Sequence, residues 1–191
     1  MDSLNINVSD WIERFKKGDL SAFEGIVRSH QDRIYNLCRY MLQNPRDAQD
    51  AAQDVFIKAY KGLKDFRPDS SFYTWIYRIA VTTCLDYKRR SRRDSLRHEP
   101  LDEDLPSDAP FPDQLYESRE SLEAIQRVLQ NLPNKLRAAI VLREVEGLSY
   151  VEIAEVLHIS LGTVRILIPD RLSHDPGAKF IEMKNLNPVF S

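Results

Sequence analysis

The sequence of 191 residues is poor in glycine, of which it has six, and it has no apolar run long enough to span a membrane. Alternating apolar and polar residues, the pattern of a half-buried strand, nowhere extend far enough to predict a sheet. The first residues also lack the basic segment followed by an apolar segment that a secretory signal requires. These absences predict an all-α protein of one or two small domains that is cytoplasmic and inserts into no membrane.

Residues that hold metals or perform catalysis are also few. The two cysteines, Cys38 and Cys84, lie in helical patterns and are predicted to be buried reduced thiols, in preference to redox or metal-binding groups. The four histidines, at positions 30, 98, 158 and 174, show no ligand spacing. No Walker loop and no nucleophile–base pair is recognisable. The sequence therefore predicts a protein that binds and does not catalyse, with no metal, no cofactor and no catalytic residue.

Charge is strongly partitioned along the chain, although the net charge is only −2. Residues 88–97, KRRSRRDSLR, contain six Lys or Arg and one Asp, whereas residues 98–113, HEPLDEDLPSDAPFPD, contain six Asp or Glu and no Lys or Arg. The second run also has four prolines, which predicts an extended and poorly ordered linker. The predicted organisation is a domain over 10–95, a linker over 96–117, a second domain over 118–168 and an atypical tail over 169–191.

The first strongly predicted helix runs from about Ser21 to Gln43 and has one buried stripe at helical spacing. The stripe consists of Phe23, Ile26, Val27, His30, Ile34, Leu37, Cys38, Met41 and Leu42. Because His30 lies on this apolar stripe, we expect a core or boundary histidine with satisfied hydrogen bonds and not a metal ligand.

A second helix has a clear predicted start, with Asn44 as the N-cap and Pro45 at the first helical position. Its inward residues are Ala48, Ala51, Ala52, Val55, Phe56 and Ala59. The outer side then carries what we name the acidic surface, made of Asp47, Asp50, Gln53 and Asp54. Spacing alone leaves two interpretations open, a solubilising face or a docking face for a basic partner helix.

A third helix follows a loop marked by Pro68, Ser70 and Ser71, and it is unusually aromatic. Its aromatic residues are Phe72, Tyr73, Trp75, Tyr77 and Tyr87, and its inward face is predicted to be Ile76, Ile79, Ala80 and Thr83. Tyr73, Trp75 and Tyr77 cannot all share that face, so at least one is predicted to be exposed or half-exposed beside basic residues. Rings interleaved with cations favour binding of unpaired bases over a purely structural role.

The C-terminal part predicts a helix-turn-helix. An amphipathic helix ends near Pro133, and a second one is stopped by Gly147. Ser149 and Glu152 then form a predicted capping box, with Ile153, Ala154 and Leu157 facing inward. His158 occupies the turn, where a positive φ is predicted. Ser160 is the predicted N-cap of a recognition helix that bears Val164 and Leu167 on one face and must end near Pro169.

In order and spacing, four segments together resemble the extracytoplasmic-function group of bacterial sigma factors. They are GDLSAFEGIV, DAQDAAQDVFIKAY, FRPDSSFYTWIYRIAVTTCLDYKRR and LPNKLRAAIVLREVEGLSYVEIAEVLHISLGTVR, and the resemblance spans roughly residues 15–165. It implies a two-domain subunit that gives core RNA polymerase its promoter recognition and is held inactive by a membrane-linked anti-sigma factor. It also implies that the linker threads toward the active-site and RNA-exit channels of the polymerase.

The resemblance further implies a role for three sets of residues, with core RNA polymerase, through its β′ clamp helices and its β subunit, and promoter DNA as partners. The acidic surface, Asp47, Asp50, Gln53 and Asp54, would dock on the clamp helices. The implied −10 contacts are Arg67, Ser70, Tyr73, Trp75, Tyr77, Arg78, Thr82, Lys88, Arg89 and Arg90. The implied −35 contacts are Ser160, Thr163 and Arg165.

The sequence departs from this family in two places. Thr82 stands where several relatives have asparagine in the −10-reading helix. From Ile166 onward the basic residues that usually follow GTVR are missing, and Pro169, Pro176 and Gly177 interrupt any helical period. Two other functions stay open at this point, a helix-turn-helix repressor that acts without polymerase and a sigma-like decoy with a defective −35 reader.

Overall fold

The computed structural model describes residues 3–67, 71–95 and 129–169, and every regular element in these ranges is helical. The prediction of an all-α protein is therefore confirmed for the described part of the chain. The chain divides into two compact units, Met1–Leu105 and Pro106–Ser191. The predicted linker over 96–117 and the tail from residue 170 lie outside the described residues. No described helix is both long enough and apolar enough to cross a membrane.

The described part of the N-terminal unit contains four helices and one short 3₁₀ turn. They are α1 (Ser3–Lys16), α2 (Ala22–Leu42), α3 (Pro45–Gly62), the 3₁₀ turn Leu63–Asp65 and α4 (Phe72–Ser95). Helix α2 packs against α1, α3 and α4, and α3 also packs against α4. The acidic surface and the aromatic segment are consequently on adjoining helices.

The core of this unit follows the predicted stripe of α2. Ile26, Ile34, Leu37, Cys38 and Met41 are all fully buried. Phe23, Val27 and Leu42, predicted on the same stripe, are half-buried at its edges. The two cysteines are free thiols buried against each other, and the hydrogen bond between them, together with burial, raises the pKa of the Cys38 thiol.

Helix α1 was not predicted, although its sequence contains a signal for it. Val8, Ile12 and Phe15 recur at helical spacing, and all three are buried in the core. Trp11, on the same helix, lies directly over Gly25 of α2, where an added Cβ would be 2.5 Å from the indole ring. Gly25 therefore permits the close approach of the two helices.

The C-terminal unit contains three described helices, α5 (Asn134–Ile140), α6 (Tyr150–Leu157) and α7 (Leu161–Leu167). Helix α5 continues as a π-helical turn over Val141–Val145 and stops, as predicted, before Gly147, whose φ is 72°. Leu129, Ile140, Leu142, Ile153 and Val164 form the centre of the core.

Arg137 is an unexpected member of this core. It is only 3% exposed, and its guanidinium donates to the backbone carbonyls of Leu129, Gln130 and Leu132 at 2.7, 2.9 and 3.2 Å. Burial lowers the pKa of Arg137. These bonds occupy carbonyl groups of the residues just before α5, so they offset part of the cost of burying a cation.

Candidate nucleic-acid and protein interfaces

The acidic surface is positioned by the start of α3. The Asn44 side chain accepts hydrogen bonds from the backbone N–H groups of Arg46 and Asp47 at 2.9 and 3.1 Å, with Pro45 at the first helical position. This predicted cap is confirmed, and it sets where the helix begins. Asp50 and Gln53 are exposed, whereas Asp47 and Asp54 are half-buried. The surface is therefore accessible chiefly through its two central residues.

Asp54 differs from the other members because it contacts α4. The Tyr87 hydroxyl donates to Asp54 Oδ2 at 3.1 Å. Burial raises the pKa of Tyr87 to about 12, and the hydrogen bond and negative charge of Asp54 act in the same direction. One helical turn away, Lys58 Nζ donates to Thr83 Oγ1 at 2.9 Å. Two polar links thus connect the acidic helix to the aromatic helix.

The beginning of α4 is held by an aromatic cluster. The Ser71 hydroxyl caps the helix by accepting from the backbone N–H of Thr74 at 3.1 Å. The rings of Phe66, Phe72 and Trp75 pack against one another with centroids 5.1 to 5.9 Å apart. An added Cβ on Gly62 would lie 3.2 Å from the Trp75 ring, so the indole rests closely on the end of α3.

Tyr73, Trp75 and Tyr77 differ in exposure, as predicted for three aromatic residues that cannot share one face of the helix. Tyr73 and Trp75 are half-buried, whereas Tyr77 is only 1% exposed and belongs to the core. The Tyr73 ring lies 6.3 Å from that of Tyr77 and 5.1 Å from that of His30. The ring surface accessible to a base is therefore that of Tyr73 and Trp75, and we do not include Tyr77 in it.

His30 packs against the buried side of the Tyr73 ring. It is 2% exposed, and its Nδ1 lies 2.9 Å from the Ile26 carbonyl oxygen and 2.7 Å from the Ser29 hydroxyl. Its Nε2 is buried and has no hydrogen-bond partner among the residues that the structure describes. Burial lowers the pKa of His30, and the nearby charge of Arg33 adds to this effect. The predicted hydrogen bonds of His30 are present at Nδ1 but not at Nε2. In the described part of the chain, no three side chains are grouped to hold a metal ion.

The remaining predicted −10 residues line the exposed length of α4 and the loop before it. Arg67, Thr82, Arg89 and Arg90 are exposed, while Arg78 and Lys88 are half-buried. Arg89 forms a salt bridge of 2.9 Å with Asp86, and the Arg90 guanidinium carbon lies 5.9 Å from the centroid of the Tyr87 ring. Ser70 lies outside the described residues. Cations and half-exposed rings are thus present on the same helix.

The helix-turn-helix has the predicted caps. Ser149 and Glu152 form a reciprocal capping box at the start of α6. His158, with φ 50° and ψ 49°, takes the left-handed conformation in the turn. The Ser160 hydroxyl accepts from the backbone N–H of Thr163 at 3.1 Å and begins α7. All three local predictions are confirmed.

The recognition helix α7 is short and partly apolar on its outer side. Ser160, Thr163 and Arg165 are exposed, and Val164 is fully buried opposite them. Ile166 is 73% exposed, the largest exposure among the large apolar side chains that are described. The helix ends at Leu167, and Pro169 follows, as predicted. The outer face therefore has one cation where a DNA-reading helix usually has several.

Comparison with known proteins agrees with this arrangement. Residues 26–94 match the family model for sigma-70 region 2, and residues 122–168 match that for sigma-70 region 4. The RNA polymerase sigma-H factor of Pseudomonas aeruginosa is 40% identical over 81% of the chain and 84% of that protein. The ECF RNA polymerase sigma factor SigW of Bacillus subtilis is 36% identical over 82% of the chain and 88% of that protein. The chain belongs to the extracytoplasmic-function (ECF) family of sigma factors.

An ECF sigma factor is a regulatory transcription factor that binds core RNA polymerase and directs it to promoter DNA, and this is the function of the chain. The fold is also that of a solved sigma factor, RpoE in complex with the anti-sigma factor NepR from Bartonella quintana. That structure has a TM-score of 0.69 and 20% identity, with 88% of this chain and 99% of that chain covered. Residues 169–191 lie beyond both matched regions.

Sequence reasoning missed one residue of interest. Tyr87 was counted among the aromatic residues of α4 but was not placed in any interface. Its contacts with Asp54 and Arg90 span two helices, so they are visible only once α3 and α4 are packed together.

Proposed function

We propose that this ECF sigma factor uses the acidic surface to dock on the β′ clamp helices of core RNA polymerase. The observation that carries this proposal is the exposure of Asp50 and Gln53 on a firmly capped helix, with Asp54 beside them. A basic helix laid along this face would pair with carboxylates that form no salt bridge within the described part of the chain. Charge complementarity of this kind speeds encounter and fixes the register of the partner.

The −10 element of the promoter would be held by α4 and the loop before it. Tyr73 and Trp75 offer half-exposed rings on which unpaired bases can stack, and Arg67, Arg78, Lys88, Arg89 and Arg90 neutralise phosphates. Capture of flipped bases offsets an unpairing cost of a few kcal/mol per step. Ser70 and Thr82 complete the proposed −10 set, with Thr82 on the exposed side of the helix.

The −35 element would be read by α7 through Ser160, Thr163 and Arg165. In this proposal, residues 10–95 dock on the polymerase and recognise the −10 element, residues 96–117 form a linker, and residues 118–168 recognise the −35 element. The tail over 169–191 adds no assigned contact. Opening of the duplex is driven by binding and not by catalysis, and the protein works in the cytoplasm without a cofactor.

Control by an anti-sigma factor is the proposed mode of regulation. The solved sigma factor with the same fold is in complex with the anti-sigma factor NepR, which supports this proposal. A sigma-like decoy with a weak −35 reader is the second candidate. The apolar exposure of Ile166 on a helix of seven residues favours it.

The docking assignment is tested by the affinity of the full-length chain for purified core RNA polymerase. Reversal of charge in an Asp50→Lys, Asp54→Lys double variant should weaken binding by more than tenfold, roughly the cost of two lost charge pairs. The matched control reverses two exposed acidic residues of α2, in Glu24→Lys with Asp32→Lys. Equal binding by the unchanged chain and the α3 double variant would show that the acidic surface is not the docking site.

A further inference from the structure

Tyr87 touches one member of each proposed surface of the N-terminal unit. Its hydroxyl donates to Asp54 Oδ2 at 3.1 Å across the contact between α3 and α4. On its ring lies the Arg90 guanidinium, 5.9 Å from the centroid. Asp54 belongs to the acidic surface and Arg90 to the basic end of α4. A single side chain therefore lies between a proposed polymerase contact and a proposed DNA contact.

The protonation state of Tyr87 suits this position. Burial, followed by the hydrogen bond and charge of Asp54, raises the pKa of Tyr87 to about 12, and Asp50 adds a smaller effect in the same direction. Arg90 acts in the opposite direction. The hydroxyl consequently keeps its proton at neutral pH and stays a donor to the carboxylate. Both acidic neighbours and the basic neighbour act electrostatically on the same group.

Helices α3 and α4, which Tyr87 bridges, pack closely against each other. Lys58 and Thr83 form the second polar link between α3 and α4, at 2.9 Å, one helical turn from the link between Asp54 and Tyr87. Thr83 is buried, and the alanines of α3 that face the core are buried as well. The two helices are thus close-packed where Tyr87 bridges them.

We infer that Tyr87 is a positioning residue that couples the two surfaces, by holding Asp54 for the polymerase and Arg90 for the DNA strand. This inference rests on the proposed function of both surfaces. When a basic polymerase helix neutralises Asp54, the repulsion that this carboxylate exerts on a phosphate at Arg90 falls. Binding at one surface then favours binding at the other, and the coupling is reciprocal.

The first measurement is the affinity of core RNA polymerase for full-length Tyr87→Phe. Phenylalanine keeps a ring under Arg90 and removes only the hydroxyl, so Asp54 loses its fixed direction. We expect the affinity to fall roughly two- to tenfold, the effect of one lost hydrogen bond. An affinity equal to that of the unchanged chain overturns the inference.

Two further variants distinguish loss of Asp54 positioning from a general loosening of the packing between α3 and α4. Thr83→Val deletes the hydrogen bond between Lys58 and Thr83 without a change of charge, and its affinity should stay within about twofold of the unchanged chain. Tyr87→Phe should add no loss in an Asp54→Ala background, because alanine leaves the hydroxyl no side-chain acceptor at position 54. A loss in Thr83→Val as large as in Tyr87→Phe, or additive losses in the double variant, contradicts a positioning role.

The coupling itself is measured with a single-stranded oligothymidylate and the free full-length chain. Asp54→Asn should strengthen binding about two- to threefold at low salt, as expected when one charge near the phosphate is removed. Asp32→Asn, which makes the same charge change on the exposed side of α2, should have a smaller effect. Equal effects of the two variants overturn the coupling.

Failure of the docking proposal is distinguishable from failure of this inference. If the Asp50→Lys, Asp54→Lys double variant binds core polymerase as tightly as the unchanged chain, the docking surface and the inference are both wrong. If Asp54→Asn weakens binding and Tyr87→Phe does not, only the inference is wrong.

Discussion

The hydroxyl of Tyr150 donates to the backbone carbonyl of Ile168 at 2.9 Å, which links the start of α6 to the residue just after the recognition helix. The Arg143 guanidinium lies over the same ring, 5.0 Å from its centroid, and donates to the Leu148 carbonyl at 2.9 Å. Pro169 prevents α7 from continuing, and the Tyr150 contact helps to hold the end of the helix, together with the bond from the Ile168 N–H to the Val164 carbonyl at 2.8 Å.

Tyr150→Phe should therefore loosen the recognition helix without unfolding the unit. Phenylalanine retains the ring beneath Arg143 and removes one hydrogen bond, which is worth about 1 kcal/mol. We expect faster amide hydrogen exchange over residues 161–168 and unchanged exchange in α2, measured in the same full-length sample. Unchanged exchange at Val164 and Ile168 would show that the tyrosine hydroxyl does not hold this end of the helix.

The basic end of α4 gives a prediction about DNA. Arg89→Ala with Arg90→Ala should lower the affinity for a single-stranded oligothymidylate and reduce the salt dependence by up to about 1.4 units, since each phosphate contact on a single strand contributes about 0.7. Both residues are exposed, so the fold should be unaffected. A matched control removes Arg46 and Lys64, which are exposed elsewhere in the same unit. If the control loses as much affinity as the α4 variant, net charge and not the α4 site accounts for binding.

The exposed apolar residue on the recognition helix gives a gain-of-function prediction. Ile166 is 73% exposed, and Ile166→Arg would place a second cation beside Arg165 on the outer face. Affinity of the full-length chain for duplex DNA should rise, and its salt dependence should steepen by about one unit. Val145→Arg is the control, because Val145 is 44% exposed in the same unit but lies outside α7. A steeper slope in both variants, or in neither, contradicts a role of α7 as the DNA-facing element.

Burial of His30 predicts a pH dependence of stability. The pKa of this imidazole is lowered from its ordinary value of 6.5, so the unfolded chain binds a proton more readily than the folded one. Stability of the N-terminal unit should then fall as the pH drops below 6.5. Trp11 and Trp75, the two tryptophans of the chain, both lie in this unit, so their fluorescence reports its unfolding.

The control for this prediction is His30→Asn, whose amide nitrogen can replace Nδ1 as the donor to the Ile26 carbonyl. The variant should be less stable overall, because it leaves a cavity, and it should lose part of the decline below pH 6.5. A decline of the same size in both proteins would assign the pH dependence to other groups.

Much of the local structure could be predicted from the sequence because it depends on neighbouring residues. Asn44, Ser149 and Ser160 cap their helices through groups two or three positions away. The left-handed turn at His158 and the stop before Pro169 are equally local. The same reasoning could have found α1 through the spacing of its buried residues Val8, Ile12 and Phe15.

What could not be predicted depends on contacts between distant parts of the chain. Tyr87 and Asp54 are 33 positions apart, and their hydrogen bond is set by the packing of α3 on α4. Arg137 is buried because three backbone carbonyls converge on it, although an arginine is ordinarily expected at the surface. Tyr77 is buried and Tyr73 half-exposed because α2 covers one side of α4, which spacing alone does not determine.

The central claim is that α3 faces polymerase and α4 faces DNA, and site-specific photocrosslinking in a reconstituted open complex tests it most directly. A photoreactive residue is placed at Gln53 in one sample and at Thr82 in another, since both side chains are exposed. Gln53 should crosslink to the β′ subunit and not to DNA, and Thr82 should crosslink to the non-template strand and not to β′. Crosslinks from Gln53 to DNA, or from Thr82 to β′ alone, would contradict this assignment of the two helices.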